Sequence, residues 1–423
     1  MLNRSEMEKI YSEYLRQLSR ASADRFLRLA LSRAIKSYRR NTETALKLFP
    51  HTVELAEKLR EIKEYSLLHI DELISQARDM IEDMKGHFFL AETPEQAMEY
   101  ISDLVKPGDV VVKSKSLTSE ELHINEKLEE MGCEVYETDL GEFLIQRLGS
   151  KPMHILSPAI HVPRERAAEV ISKAVGKELP PDIPVLVGEV RKLLRKKFFE
   201  ASVGISGANV IAAETGSVFI IENEGNARLV TGLPEKHIVI AGIEKLVPTL
   251  LDAMIAVEVT SRYANYKAPA YVSMISCPSK TGDIEKQTTY GAHGPKEYHV
   301  VLLDNGRKEM IKDPVYRQAL YCLRCGGCMY NCTVYPLVAG NFGYIYMGGI
   351  GAPLTRFLLG GLERAAPIAY TCTMCGRCVE HCPMRIDVPK IIQKIREEAA
   401  RAGIVPERLI ENLEGITGVK IGG

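Results

Sequence analysis

The chain has 423 residues, room for about two to three domains, and its 46% apolar content is enough to bury real cores and rules out a disordered chain. Its 54 lysines and arginines nearly cancel its 55 aspartates and glutamates, leaving a net charge of −1, which argues against a protein that mainly coats nucleic acid or an anionic membrane. The opening MLNRSEMEKIYSEYL lacks the apolar core of a secretion signal, and the longest greasy stretch, 238–260, is broken by Glu244, Lys245, Pro248, Asp252 and Glu258, so no transmembrane segment is expected. The expectation is a soluble, cytoplasmic, multidomain protein.

Residues 1–85 are charged and poor in proline and glycine. Leu27, Leu31, Ala34, Ile35 and Tyr38 recur at helical spacing, as do Leu55, Leu59 and Ile62, then Ile70, Leu73 and Ile74, predicting a helical N-terminal region. Arg16, Arg20, Arg25, Arg28, Arg33, Lys36, Arg39 and Arg40 make part of it basic. Such a run is usually a solvated face, and the competing reading is attraction for an acidic partner or an anionic ligand.

From about residue 86 the texture becomes that of an α/β domain, expected over 86–312. Val110-Val111-Val112 reads as a strand after the turn Pro107-Gly108-Asp109. Thr118-x-x-Glu121 reads as a capping box opening a helix that stops near Gly132, and a strand begins at Cys133. This is a βαβ unit. Its first loop, Lys113-Ser114-Lys115-Ser116, falls where open α/β sheets bind ligands, so the two lysines are candidate anchors for a carboxylate or phosphate. The bland alternative is that they solvate a loop. Further on, His154–Leu156, Ser217–Glu222, Ala227–Thr231 and His237–Ala241 read as strands, the middle two joined as a hairpin through Asn223–Asn226. Pro163–Val175, Pro184–Glu200 and Ile243–Val259 read as helices. No G-x-G-x-x-G, P-loop, G-x-S-x-G or H-E-x-x-H motif occurs, and His154, His161, His237, His293 and His299 show no metal-ligand spacing. The catalytic residues are unknown at this level.

The cysteines carry the chemistry. Cys133 and Cys277 are isolated; the other eight form Cys322-x2-Cys325-x2-Cys328-x3-Cys332 and Cys372-x2-Cys375-x2-Cys378-x3-Cys382. A disulfide scaffold suits small secreted chains, and structural zinc uses two separated pairs of ligands rather than four cysteines packed together twice. The spacing is that of the bacterial ferredoxin loop, in which three cysteines hold one 4Fe–4S cluster and the fourth ligates the other. The expected ligand sets are therefore crossed: Cys322, Cys325, Cys328 and Cys382 for one cluster, and Cys372, Cys375, Cys378 and Cys332 for its neighbour. Arg324, Arg377 and Arg385 lie in or beside the loops. The flanks Asp313–Tyr321 and Asp387–Ala402 read as helices, the latter capped by Asp387 and stopped by Gly403. The predicted third domain, 313–423, is an α-helical ferredoxin, with the insert 333–371 adding a glycine-rich loop and a short helix. Tyr344 and Tyr346 in that insert are expected to wrap a cluster or form a docking surface.

With these motifs in place, the chain resembles the lactate-utilisation iron–sulfur family. The resemblance rests on VVKSKSLTSEEL (111–122), ETDLGEFLIQ (137–146), PAIH (158–161), GISGANVIAAETGS (204–217), ENEGNARL (222–229), GIEKLVP (242–248), VVLLDNGR (300–307) and the two cysteine runs. It implies a LUD domain of the NagB/RpiA/CoA-transferase-like class fused to a two-cluster ferredoxin. It also implies a part in oxidising L-lactate to pyruvate beside a cysteine-rich, heterodisulfide-reductase-like subunit and a second LUD subunit. Lys113, Ser114 and Lys115 match the family's K-S-K loop, Asp139 and Glu142 its D-L-G-E, Glu214 and Thr215 its A-E-T-G, and Asn223, Glu224 and Asn226 its N-E-G-N. A small-molecule site built from Lys113, Ser114, Lys115, Glu214, Thr215 and Glu224 follows as an expectation, with the glutamates as bases; turn caps and ion pairs are the alternative. The chain departs from bacterial members in having Thr333 where they carry proline, and in ending at Gly423 without their tryptophan-containing extension.

Three functions compete: an electron-transfer subunit for lactate oxidation, the same wire serving another dehydrogenase or a heterodisulfide-reductase-like partner, and a LUD domain acting as an enzyme in its own right. The last rests on fold analogy alone.

Overall fold

The computed structural model describes residues 4–406 and Glu411; the remainder of the tail, which closes the expected domain 313–423, lies outside the described residues. Two compact units divide the chain: Arg40–Lys308 with Leu323–Cys325, and Met1–Arg39 with Glu309–Cys322 and Gly326–Gly423. The N-terminal region is helical as its periodicity predicts, in Arg4–Ala23, Arg25–Leu48, His51–Leu68 and Ile70–Asp83. The division between the units falls inside its second helix.

The first of these, the sheet unit, contains β1 (His87–Ala91), β2 (Val110–Lys113), β3 (Glu134–Glu137), β4 (Val203–Ser206), β5 (Val210–Ala212), β6 (Ser217–Glu222), β7 (Lys236–Gly242), β8 (Leu246–Val247), β9 (Tyr271–Ile275), β10 (Lys280–Thr281), β11 (Thr289–Tyr290) and β12 (Glu297–Leu303). Six strands form a parallel sheet in the order β1-β12-β7-β4-β2-β3. The chain leaves β2 toward β3 on one side and returns to β4 on the other, so strand order reverses between β2 and β4. Both faces are covered. Val111, Val135, Ile205, Ile240 and Val301 pack on Ile101, Leu122 and Leu128, while Val112 on the opposite face packs with Phe143, Ile171, Val190 and Phe198. Burial on both sides is why β2 reads as a continuous apolar run rather than an alternating one. A second sheet, β8-β5-β6-β9, is mostly antiparallel.

Several expected elements change. Ala227–Thr231 is no hairpin strand but part of a helix, Asn226–Gly232. Gly225 turns the chain at φ +80°, and the Glu222 carboxylate accepts the N–H groups of Ala227 (2.7 Å) and Arg228 (3.0 Å), satisfying the orphan donors of a helix start. His154–Leu156 is a loop, where buried His154 accepts from the N–H groups of Leu156 and Ser157 through Nδ1, each at 3.0 Å. The helix after β2 is capped by Ser116 rather than Thr118 and is split into Leu117–Glu120 and Ile124–Glu130; Glu121 is drawn instead into an ion pair with Arg307. Ile243–Val259 resolves into a short turn, β8 and the helix Leu250–Tyr263, whose capping box is Thr249 with Asp252.

The second, or cysteine, unit is helical. Val388–Arg401 is capped by Asp387, carries Pro389 in its first turn and buries Ile391, Ile392, Ile395 and Ala399. Ala366 and Ala399 pack with Ile404, against Met7, Tyr11 and Tyr370. The insert forms Gly351–Thr355, a widened turn at Arg356–Gly360 and the helix Gly361–Thr371. Among the described residues no helix is long and apolar enough to cross a membrane.

Candidate functional site

The two cysteine runs repeat in backbone as well as in spacing. Arg324 (φ +60°) and Gly326 (+80°) flank Cys325, and Met374 (+54°) and Gly376 (+77°) flank Cys375. Alternating left-handed residues curl each run, and glycine takes the second such position in both without steric cost. Short helices follow, Gly327–Tyr330 and Arg377–Glu380.

In the cysteine unit a small cavity is lined by Cys328, Cys332, Cys372, Cys375 and Cys378, closed by Phe342, Ile350 and Val388. The fourth cysteine of the first run thus sits among the first three of the second. Cys322 lies close enough to Cys382 to raise its pKa. Among the described residues no three His, Cys, Asp or Glu side chains converge tightly enough to hold a single metal ion; the thiols ring a space instead. Its free volume is only about 30 Å³, but that volume keeps van der Waals clearance from each sulfur, whereas a bonded metal stands roughly 2.3 Å from a thiolate.

Backbone donors point at the sulfurs. The N–H groups of Val334 and Tyr335 donate to Cys332 Sγ at 3.3 and 3.4 Å. Arg396 Nη2 donates to the carbonyls of Cys372 (2.6 Å) and Ala369 (2.9 Å), fixing the entry to the second run. Arg39 Nε donates to the carbonyl of Tyr330 at 2.8 Å, at the end of the short helix in the first run. Arg39 belongs to the basic run noted in the sequence, without a sign of this contact, and nothing in the sequence singles out Arg396. The insert wraps the cavity through its glycine loop: a Cβ at Gly349 would stand 3.0 Å from Val388 and 3.5 Å from Cys372 Sγ. Tyr344 instead packs at a tilt against Tyr14, with ring centroids 6.0 Å apart, and lies under Arg364.

The sheet unit holds a second feature, an open cleft of about 260 Å³ at the carboxyl ends of β2 and β4. Ser114, Lys115 and Glu224 line it as expected, joined by Lys245, Arg324 and Cys325, which sequence reasoning did not place there. Lys115 pairs with Asp139 at 3.4 Å and donates to the carbonyl of Leu156 at 3.2 Å. Three expected members are elsewhere. Lys113 is fully buried between Glu120 (2.8 Å) and Glu137 (2.7 Å); burial alone would lower its pKa, and the two carboxylates raise it instead. Glu214 accepts the N–H of Leu250 at 2.6 Å, and Thr215 donates to Ser217 at 2.8 Å. Both serve turns.

Comparison with known proteins decides the family. A LUD domain model matches residues 74–303 and a 4Fe-4S dicluster domain model matches 318–386. The chain is 36% identical over 392 residues to lactate utilization protein B of Shouchella clausii, covering 92% of this chain and 80% of that protein. It is 37% identical over 378 residues to lactate utilization protein B of Bacillus thuringiensis, covering 88% and 78%. The chain belongs to this family. A crystal structure of a DUF162 family protein from Deinococcus radiodurans is also similar, at 14% identity and a TM-score of 0.32, covering 55% of this chain and 98% of that one. The architecture of this family member is therefore a LUD α/β domain with a helical N-terminal region and a helical ferredoxin-like part that carries iron–sulfur clusters.

Two properties bear on what the thiols hold. Burial pushes Cys378 up to about 12, with Cys372, Cys332 and Cys375 adding to it, and pushes Cys382 up to about 11. Cys375, held by the N–H of Arg377, moves down. Crowded thiols of this kind keep their protons until a metal displaces them. Thr333 bonds Thr373 of the other run at 2.8 Å and lies 3.9 Å from Cys375 Sγ. After Cys382, by contrast, Pro383 leads to Arg385 at φ +45°. The two exits differ as the two residues do.

Proposed function

We propose that the chain is the electron-transfer subunit of an L-lactate-oxidising complex. It carries two 4Fe–4S clusters, one on Cys322, Cys325, Cys328 and Cys382 and its neighbour on Cys372, Cys375, Cys378 and Cys332. The observation that supports this reading best is the cavity in which Cys332 stands among Cys372, Cys375 and Cys378, the crossed pattern of a two-cluster ferredoxin. The clusters supply one-electron carriers in series. The chain's own part is to hold them: loops curled by left-handed residues, N–H groups aimed at sulfur, and an apolar wall that limits water. Oxidation of a hydroxy acid releases two electrons, so the pair can take one each. A cysteine-rich, heterodisulfide-reductase-like subunit and a second LUD subunit are the proposed partners, consistent with relatives named for lactate utilization.

The test is anaerobic purification with iron and sulfide analysis, followed by a dye-coupled assay. About eight irons per chain are expected, with clusters bleached by L-lactate only when the partners are present. Bleaching by a different substrate, with indifference to lactate, would transfer the wire to another dehydrogenase. Turnover by a chain stripped of clusters would instead make the LUD domain the enzyme.

A further inference from the structure

The cleft of the sheet unit lies where the order of the parallel strands reverses, between the carboxyl ends of β2 and β4. At such points the loops leaving adjacent strands part and open a crevice for a ligand. Here Ser114–Thr118 after β2 and Gly207–Asn209 after β4 form two of its walls. The third wall is unusual: it is Leu323–Cys325, the start of the first cysteine run, which belongs to this same compact unit.

Charges line the cleft in two groups, Lys115 with Asp139 and Glu224 in one and Lys245 with Arg324 in the other. Lys245 and Arg324 stand on one side, backed by Glu244, which is wholly buried. Glu244 bonds Arg307 Nε at 2.5 Å, approaches Arg324 at 3.8 Å, and gives its backbone carbonyl to Lys63 Nζ. Burial alone would raise the Glu244 carboxyl, but Arg307, Lys245, Arg324 and Lys63 hold it at about 2. It is therefore a permanent anion. Arg307 also holds Glu121, its second carboxylate, and Lys245 and Arg324 are the cations of this wall that reach the cleft. On the other side Glu224 accepts the N–H of Leu140 at 3.1 Å. Burial raises its pKa, so it is suited to share a proton with a neutral oxygen rather than to attract a cation.

We infer that this cleft binds a small hydroxy- or oxo-carboxylic acid, its carboxylate facing Lys245 and Arg324 and its α-oxygen facing Glu224, against a wall shared with a ligand cysteine of the first cluster. The second half of this statement rests on the cluster reading above; the cleft itself does not. Because Cys325 lines the cleft, a bound carboxylate adds negative charge beside the first cluster and opposes its reduction. The acid then binds more tightly to the oxidised chain than to the reduced chain. The LUD domain becomes a sensor that ties cluster potential to substrate or product.

The experiment is calorimetric titration of the full-length chain, prepared anaerobically, with L-lactate, pyruvate, lactamide and L-alanine in turn, in oxidised and dithionite-reduced samples. Saturable binding of lactate or pyruvate is expected, with none of the uncharged lactamide. About tenfold tighter binding to the oxidised chain would lower the midpoint of one cluster by ~59 mV. Lys245→Met and Arg324→Gln should each weaken binding at least tenfold, with iron content and melting temperature recorded to show that the variants fold. L-alanine binding as well as lactate would overturn the assigned ligand class. A cluster-loaded chain that takes up neither acid, or whose variants bind unchanged, would overturn the site, and equal affinity in both redox states would overturn the coupling. An iron-free chain that still binds lactate would overturn the electron-transfer reading and leave the site standing.

Discussion

The cysteine unit and the sheet unit solve opposite problems. In the sheet unit the groups that matter are held by a preformed apolar core: Val111 and Val112 point to opposite faces of one strand, and each face is closed by helices. In the cysteine unit the residues that matter are seven of the eight thiols of the two runs, several crowded and pushed toward the protonated state by burial. Without a metal they contribute little beyond packing. The comparison teaches that one unit brings its ligand to a finished scaffold, while the other is completed by what it binds.

Stripping iron tests that contrast most severely. A chelated, anaerobic chain should lose several kcal/mol from the cysteine unit, a shift of more than ~10 °C, and leave the sheet unit's transition in place. Differential scanning calorimetry with and without iron reads it; two transitions that fall together would break the contrast. Next, single substitutions should remove half the metal. Cys378→Ser should cost one cluster and Cys382→Ser the other, each leaving about four irons per chain, and paramagnetic resonance should show different survivors. The same survivor in both would mean that the ligand sets are not crossed.

The sheet unit has its own sensitivity, to acid. Burial lowers His154 and His237 to about 3 and His299 to about 4. All three are neutral in the folded state, so their contribution is complete above the ordinary value near 6.5 and is lost as pH falls through it toward 4. Urea melts at pH 7 and pH 5 should differ by on the order of 1 kcal/mol for each histidine. His237→Gln, which can keep a hydrogen bond to Ser206, should remove one such share. The smallest effect is expected at Thr333. Thr333→Val deletes the hydroxyl that meets Thr373 and approaches Cys375, and should lower the potential of the cluster on Cys372, Cys375 and Cys378 by roughly tens of millivolts. An unchanged midpoint would mean that the hydroxyl serves only the turn.

The legible parts of this protein were those that local chemistry controls. The Asp387 cap, the apolar β2 run and the helical periodicity of the N-terminal region each depend on neighbours within a turn or two, and each stands in the structure. What failed was decided by particular side-chain contacts, most of them distant in sequence. Ala227–Thr231 has strand-like residues, yet Glu222 caps it into a helix. Lys113 and Lys115 look equivalent in sequence, but β2 ends at Lys113 and the loop that follows carries Lys115 elsewhere, leaving one between Glu120 and the buried Glu137 and the other at the cleft. Glu244 and Arg307, 63 residues apart, carry no motif; only the fold makes them partners. The code of the cysteines determined what kind of group the chain holds, because ligation needs particular atoms at particular spacings. Which lysine meets a ligand, and which cysteine shares a wall with it, was decided by tertiary structure, because burial and charge are sums over residues that the chain order keeps apart.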